Sequence, residues 1–183
     1  MNNDRIFYEE KDGLLTIMVT STITKTKMNL LFLWLMLWTL CGIIVFSQFF
    51  AGHSKEMKLM MVVWFAFWSY FEYKIGYAYL WRKTGREIIR IIDGKLFLKR
   101  DISGSGKEES YLVGNISKLK TIDFNSKQFT QTMNNSFWVI GGETVFFEYM
   151  GKTIGCGLQL SEPEAIVLFK KLKQGIKDSL KQS

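Results

Sequence analysis

The chain is poor in the residues that most enzyme chemistry depends on. Its 183 residues include one histidine, His53, two cysteines, Cys41 and Cys156, and one proline, Pro163. Serines and aspartates are present, but a nucleophile needs a base beside it, and one imidazole leaves no triad to build. Haem between helices would need axial ligands that His53, lying between two apolar stretches, cannot supply. Cys41 falls inside an apolar run and Cys156 in a strand-like segment, so the two are not expected to pair or to form a metal knuckle. No cofactor and no metal is expected, and the chain reads as a non-enzyme. Residues 1–27 lack an early apolar core and a cleavage pattern, so no signal peptide is expected.

What the chain has in quantity is apolar sequence, 48% of residues, and it is concentrated. Met28 to Ala51 and Met57 to Trp81 are separated by a few polar residues, and each is about 24 residues long, enough to cross roughly 30 Å of hydrocarbon. They predict a two-helix transmembrane hairpin over 28–81, with spans at 28–51 and 57–81. Lys25 and Lys27 precede the first span; Arg82, Lys83, Arg86 and Arg90 follow the second; the connection has only Lys55 and Lys58. The positive-inside bias then predicts a multi-pass protein with both termini cytoplasmic. The formal net charge of +7 is spread through strands and the final helix and interleaved with acids, which suits a neighbouring anionic lipid surface. Nucleic acid is not an expected partner, since no stacking or groove-reading motif is present.

Residues 1–27 predict a strand hairpin and a linker. Arg5 to Glu10 and Leu14 to Thr20 flank Lys11-Asp12-Gly13, a turn signal because Asp-Gly accepts positive φ. A lone two-stranded hairpin is marginal in water, so docking onto the later soluble domain is expected. That domain occupies 82–183. Arg86 to Ile92 and Lys95 to Ile102 read as strands about Asp93-Gly94, then Glu109 to Val113, Ile116 to Phe124, Ser136 to Ile140, Thr144 to Met150 and Thr153 to Leu160. Asn125 to Asn135 reads as a loop, and Gly141-Gly142 and Gly151-Lys152 as turns. Ser161-Glu162-Pro163-Glu164 opens a final helix with an N-cap serine and a glutamate three residues on. Its predicted buried stripe is Ile166, Phe169, Leu172, Ile176 and Leu180. The predicted class is an α+β membrane protein: the helical hairpin plus a pleckstrin-homology-like antiparallel β-roll capped by a C-terminal amphipathic helix.

In outline the whole chain resembles a broad group of bacterial membrane proteins in which membrane hairpins precede a pleckstrin-homology-like domain. The likeness lies in Trp81-Arg82-Lys83-Thr84-Gly85-Arg86-Glu87, in Ile116-Ser117-Lys118-Leu119-Lys120 and in Leu160-Ser161-Glu162. The resemblance implies a bacterial inner membrane and, tethered to it, an interaction module, an accessory subunit or scaffold with a protein partner, and implies no catalytic residues.

Several residues invite closer attention. Glu72 and Lys74 interrupt the second apolar stretch: an intramembrane acid is a candidate polar site, while Tyr70, Tyr73, Tyr77, Tyr79 and Trp81 also fit an interfacial belt. Used with the aromatic faces, Glu72 would make the chain a handler of a small molecule, lipid or ion, the alternative function. Trp34 and Trp38, and Trp64 and Trp68, each share a helix face and could pack helices or meet lipid. Lys95, Lys99, Arg100 and Lys107 are candidate contacts to an anionic surface. Gly104-x-Gly106-Lys107 lacks the spacing and hydroxyl residue of a phosphate loop and reads as a linker.

Overall fold

The structure is a computed structural model and describes residues 5–11, 13–21, 24–124 and 142–182. In chain order it contains β1 (Ile6–Lys11), β2 (Leu14–Thr20), α1 (Lys25–Gln48), α2 (Lys55–Thr84), β3 (Gly85–Ile92), β4 (Lys95–Ile102), β5 (Glu108–Leu112), β6 (Ile116–Thr121), β7 (Glu143–Tyr149), β8 (Lys152–Leu158) and α3 (Glu162–Gln182). The expected strand at 136–140, the loop at 125–135, and parts of the Asp12-Gly13 and Gly141-Gly142 turns lie outside the described residues. The chain is α+β, with two antiparallel sheets ordered β1-β2-β3-β4-β5 and β6-β7-β8.

Period-2 alternation sets the inner face of the first sheet. Leu15, Ile17 and Val19 of β2, Ile89 and Ile91 of β3, and Leu96 and Leu98 of β4 are buried and meet Val145, Phe147 and Cys156 of the second sheet. Burying each large aliphatic or aromatic side chain contributes about 1.5–3 kcal/mol. Asp93-Gly94 and Met150-Gly151 take positive φ at both positions, the geometry that closes two-residue hairpins. The second of these turns is therefore one residue earlier than the expected Gly151-Lys152.

β2 pairs with β3 in a six-residue antiparallel register, from Leu15↔Ile91 to Thr20↔Arg86. The strand that enters α1 and the strand that leaves α2 are thus neighbours in one sheet. Arg5 strengthens the junction: its Nε donates to the Thr20 carbonyl at 3.0 Å and its Nη1 to the Gln159 carbonyl at 2.7 Å, tying the N-terminal hairpin to the end of β8.

α1 and α2 lie antiparallel, with Phe32 against Tyr79, Thr39 against Glu72 and Phe46 against Phe65. Their bounds differ from the expected spans. α1 runs 25–48 and its last turn closes through Phe49, while α2 starts after Ser54, whose hydroxyl accepts from the Met57 amide, and continues to Thr84. Among the described residues, α1 is the one helix apolar enough, by length and composition, to cross a membrane. α2 has the length, about 45 Å for 30 residues, but Glu72, Lys74 and its tyrosines and tryptophans dilute its apolar character.

α3 starts with a capping box, the Ser161 amide donating to Glu164 Oε2 at 2.8 Å. Its buried stripe is Ala165, Leu168 and Leu172, with Phe169 and Ile176 partly covered, whereas Ile166 and Leu180 are exposed. The helix is rotated from the expected stripe: Ala165 and Leu168 take the place of Ile166 and Leu180 on the face toward the roll, while Phe169, Leu172 and Ile176 keep to it. There Leu168 fits against Gly157, which takes φ +71° and whose added Cβ would lie 2.6 Å from Leu168 Cδ2.

Candidate functional site

A buried carboxylate joins the two sheets. Glu87 stands in phase with Ile89 and Ile91 on β3 and is 0% exposed. Its Oε2 accepts from the Gly157 amide at 2.6 Å and the Leu158 amide at 3.3 Å, and its Oε1 from Arg100 Nε at 3.4 Å. Arg100 reaches on, its Nη2 donating to Glu143 Oε1 at 2.9 Å and to the Gly155 carbonyl at 3.0 Å. Burial pushes the Glu87 carboxyl above the usual carboxylate range, opposed by Arg100 and the two amides. For Arg100, burial pulls downward, but Glu87 and Glu143 outweigh it and raise the guanidinium above its ordinary value. Cys156 lies in the same region, and burial holds its thiol well above the ordinary range, so it is an inert core side chain.

Beside this bridge, below the end of α2, the sheets part around a cavity of about 660 Å³. Tyr77 and Leu80 of α2 form its roof, Ile102 and Ile154 part of its apolar wall, and Arg100, Lys107, Glu109 and Glu143 its polar lining. Tyr111 spans the gap, its ring centroid 5.4 Å from Phe147 and 5.1 Å from Tyr149. Its hydroxyl donates to Glu109 Oε2 at 2.6 Å, and burial followed by that carboxylate pushes the phenol up to about 12. The lining therefore holds two cations and two carboxylates beside Tyr77 and Leu80 of α2.

Of the four basic residues singled out as surface contacts, Arg100 and Lys107 share the cavity lining, and Lys95 and Lys99 do not line it. Lys95 sits at the β3–β4 turn, paired with Ile92 at the end of the strand remote from α2. Lys99 lies 3.4 Å from Asp101 Oδ1, and Asp101 also accepts from Arg86 Nε at 2.6 Å. That hydrogen bond, with Lys99 beside it, holds the Asp101 carboxyl below its ordinary range. Arg100 is turned into the sheet bridge. Lys107 has no ion-pair partner among the described residues and lines the cavity.

Some of the hairpin's polar and aromatic residues meet across its helices, Thr39 with Glu72 and Trp68 with Trp38. Glu72 lies 12 residues before the end of α2, about 18 Å along the axis. Its Oε1 accepts from the Thr39 hydroxyl at 2.6 Å, while Oε2 is buried without a hydrogen-bond partner. Thr39 is also 2.8 Å from the Leu35 carbonyl, so one hydroxyl proton faces two acceptors. Lys74 lies over the Tyr70 ring at 5.6 Å. Trp68 donates from Nε1 to the Trp38 carbonyl at 3.1 Å and covers Gly42, where an added Cβ would fall 2.2 Å from its ring. Trp34 stacks on Trp38 and Trp64 on Trp68, with centroids 5.9 and 6.3 Å apart. Trp38, Trp64 and Trp68 are half-buried, Trp68 making the contact across the helices, and Trp34, 41% exposed, faces outward.

Glu87, Tyr111 and Arg5 were not singled out from sequence. Glu87 carried a legible signal, an acid in register with inward-facing isoleucines. Glu109, with Glu108, reads from sequence as a solvated acid at a loop edge, whereas the structure hydrogen-bonds it to Tyr111, its neighbour on the same strand face. No cluster of three or more His, Cys, Asp or Glu residues fit to hold a metal occurs among the described residues. No protein-family model, no curated protein and no solved structure matches the chain.

Proposed function

We propose that the chain is a non-enzymatic integral membrane protein, a two-span hairpin that tethers a pleckstrin-homology-like roll to the membrane surface as an interaction module for a protein partner. The β2–β3 register supports this most directly. Strands paired in one sheet lie on one side of a membrane, and they flank the hairpin in sequence. If α1 crosses, α2 must cross back, whatever its own hydropathy. Glu72 does not argue against this, since Thr39 across the helix pair gives it a hydrogen-bonding partner away from lipid. The same contact favours an interhelical link over the alternative role in ion or small-molecule handling.

Lys25, Lys27, Arg82 and Lys83 lie at the roll end of the hairpin, and by the positive-inside bias this supports a cytoplasmic roll in a bacterial inner membrane. Tethering acts by confining the recognition surface to two dimensions, which raises its effective concentration toward partners on the same membrane. The five-strand sheet, three-strand sheet and closing helix fit a pleckstrin-homology-like roll with an added N-terminal hairpin.

Tagged full-length protein recovered in mild detergent from its native membrane tests the reading. A membrane partner at comparable copy number, lost when the roll but not the hairpin is replaced by an unrelated domain, is the expected result. Recovery of the chain alone in several mild detergents would contradict the scaffold role.

A further inference from the structure

The crevice between the sheets has a chemistry that the tether does not require. Its roof, Tyr77 and Leu80, is 43% and 48% exposed on the continuation of a membrane helix. At its floor the charges are balanced: Arg100 and Lys107 against Glu109 and Glu143. Not all of their capacity is used. Arg100 binds through Nε and Nη2, leaving Nη1 without a hydrogen bond among the described residues. Lys107 has no ion-pair partner among them, and Glu109 engages Tyr111 through Oε2 only.

An anion alone would meet two carboxylates here, and a cation alone would meet two positive charges. A group carrying both signs close together answers both sets, with phosphate oxygens toward Lys107 and Arg100 and an ammonium toward Glu109. A primary ammonium can donate hydrogen bonds to Glu109, which a quaternary one cannot. The volume of about 660 Å³ exceeds what one phosphate ion fills and falls in the range of roughly 300–1,000 Å³ usual for organic ligands. The apolar roof provides for an attached hydrocarbon.

We propose that this crevice binds the headgroup of one phospholipid that pairs a phosphate with a primary ammonium, its acyl chains running along Tyr77 and Leu80 into the bilayer. The assignment rests on the membrane-tethered reading, because it needs the roof to stand at the lipid interface. It makes the roll's recognition dependent on headgroup chemistry and not on surface charge alone.

Native mass spectrometry of delipidated full-length protein in detergent, given phosphatidylethanolamine, phosphatidylglycerol or phosphatidylcholine with identical chains, tests the proposal. One phosphatidylethanolamine per chain, retained about tenfold better than the other two, is expected from a charge-assisted contact made only by the ammonium. Glu109→Gln should bring phosphatidylethanolamine down to the level of phosphatidylglycerol, and Lys107→Ala should weaken all three, with unchanged circular dichroism. Equal retention of the three lipids, or a preference untouched by Glu109→Gln, would overturn it. Displacement by glycerophosphoethanolamine at the same concentration would overturn the lipid as the source of the group. The measurement is made in detergent and does not depend on topology, so its failure leaves the two-span tether to stand or fall on its own test.

Discussion

Arg100→Met should destabilise the roll through Glu87. The substitution keeps much of the aliphatic stem and removes the cation facing a fully buried carboxylate. Removing one member of a buried pair costs about 3–5 kcal/mol. Here the cost is reduced, because the Arg100 side chain is 43% exposed and the Gly157 and Leu158 amides still serve Glu87. The expected loss is about 2–3 kcal/mol, or roughly 5–10 °C in the melting of the β signal. Far-UV circular dichroism of the detergent-solubilised chain reads it, and hydrogen exchange over 152–160 should speed up most at the Gly157 and Leu158 amides. Adding Glu87→Gln removes the stranded charge, so the double variant should be more stable than Arg100→Met alone. A single variant within about 0.5 kcal/mol of the parent, or a double variant whose loss is the sum of the two single losses, would refute the bridge as the link between the sheets.

The same carboxylate sets a pH dependence. Burial raises the Glu87 pKa in the folded chain, so between the ordinary carboxylate value and the raised one the folded form holds a proton that the unfolded form has released. Stability contributed by this group is therefore present at low pH and lost as pH climbs through that window, and Glu87→Gln should flatten the profile of melting temperature against pH there. Gly42→Leu drives a side chain into Trp68 and should cost about 1–3 kcal/mol of hairpin stability, read as a shift in tryptophan emission on heating. Thr39→Val removes the hydroxyl facing Glu72 and should lower thermal stability in detergent by about 1 kcal/mol.

Much of the local structure was legible in the sequence because its signals are local. Asp93-Gly94 marked its hairpin, Ser161 and Glu164 marked the start of α3, and alternation marked β2 and β3. What depends on packing was not legible. The stripe of α3 is rotated because Gly157 lets Leu168 approach, a fact about another strand 11 residues away. Hydropathy separates α1 from α2, since it treats the tyrosines and tryptophans of α2 as polar and cannot register that Glu72 finds Thr39. Of the four basic residues grouped by sequence proximity, Arg100 and Lys107 meet at the crevice, while Lys95 lies at the opposite end of its strand from Arg100. The crevice joins α2, β4, β5 and β8, and no window of sequence contains it.

The most direct test of the two-span tether is labelling of single cysteines with a membrane-impermeant maleimide in intact cells. Cys41 is first replaced by Ala, while buried Cys156 stays unreactive. Gly52→Cys puts a thiol in the turn between the helices and Gly114→Cys puts one on the roll, at positions where an added Cβ meets nothing within 4 Å. With a two-span tether, Gly52→Cys labels in intact cells and Gly114→Cys only after the membrane is opened. Equal labelling of both positions in intact cells, or of neither, would place turn and roll on one side and contradict it.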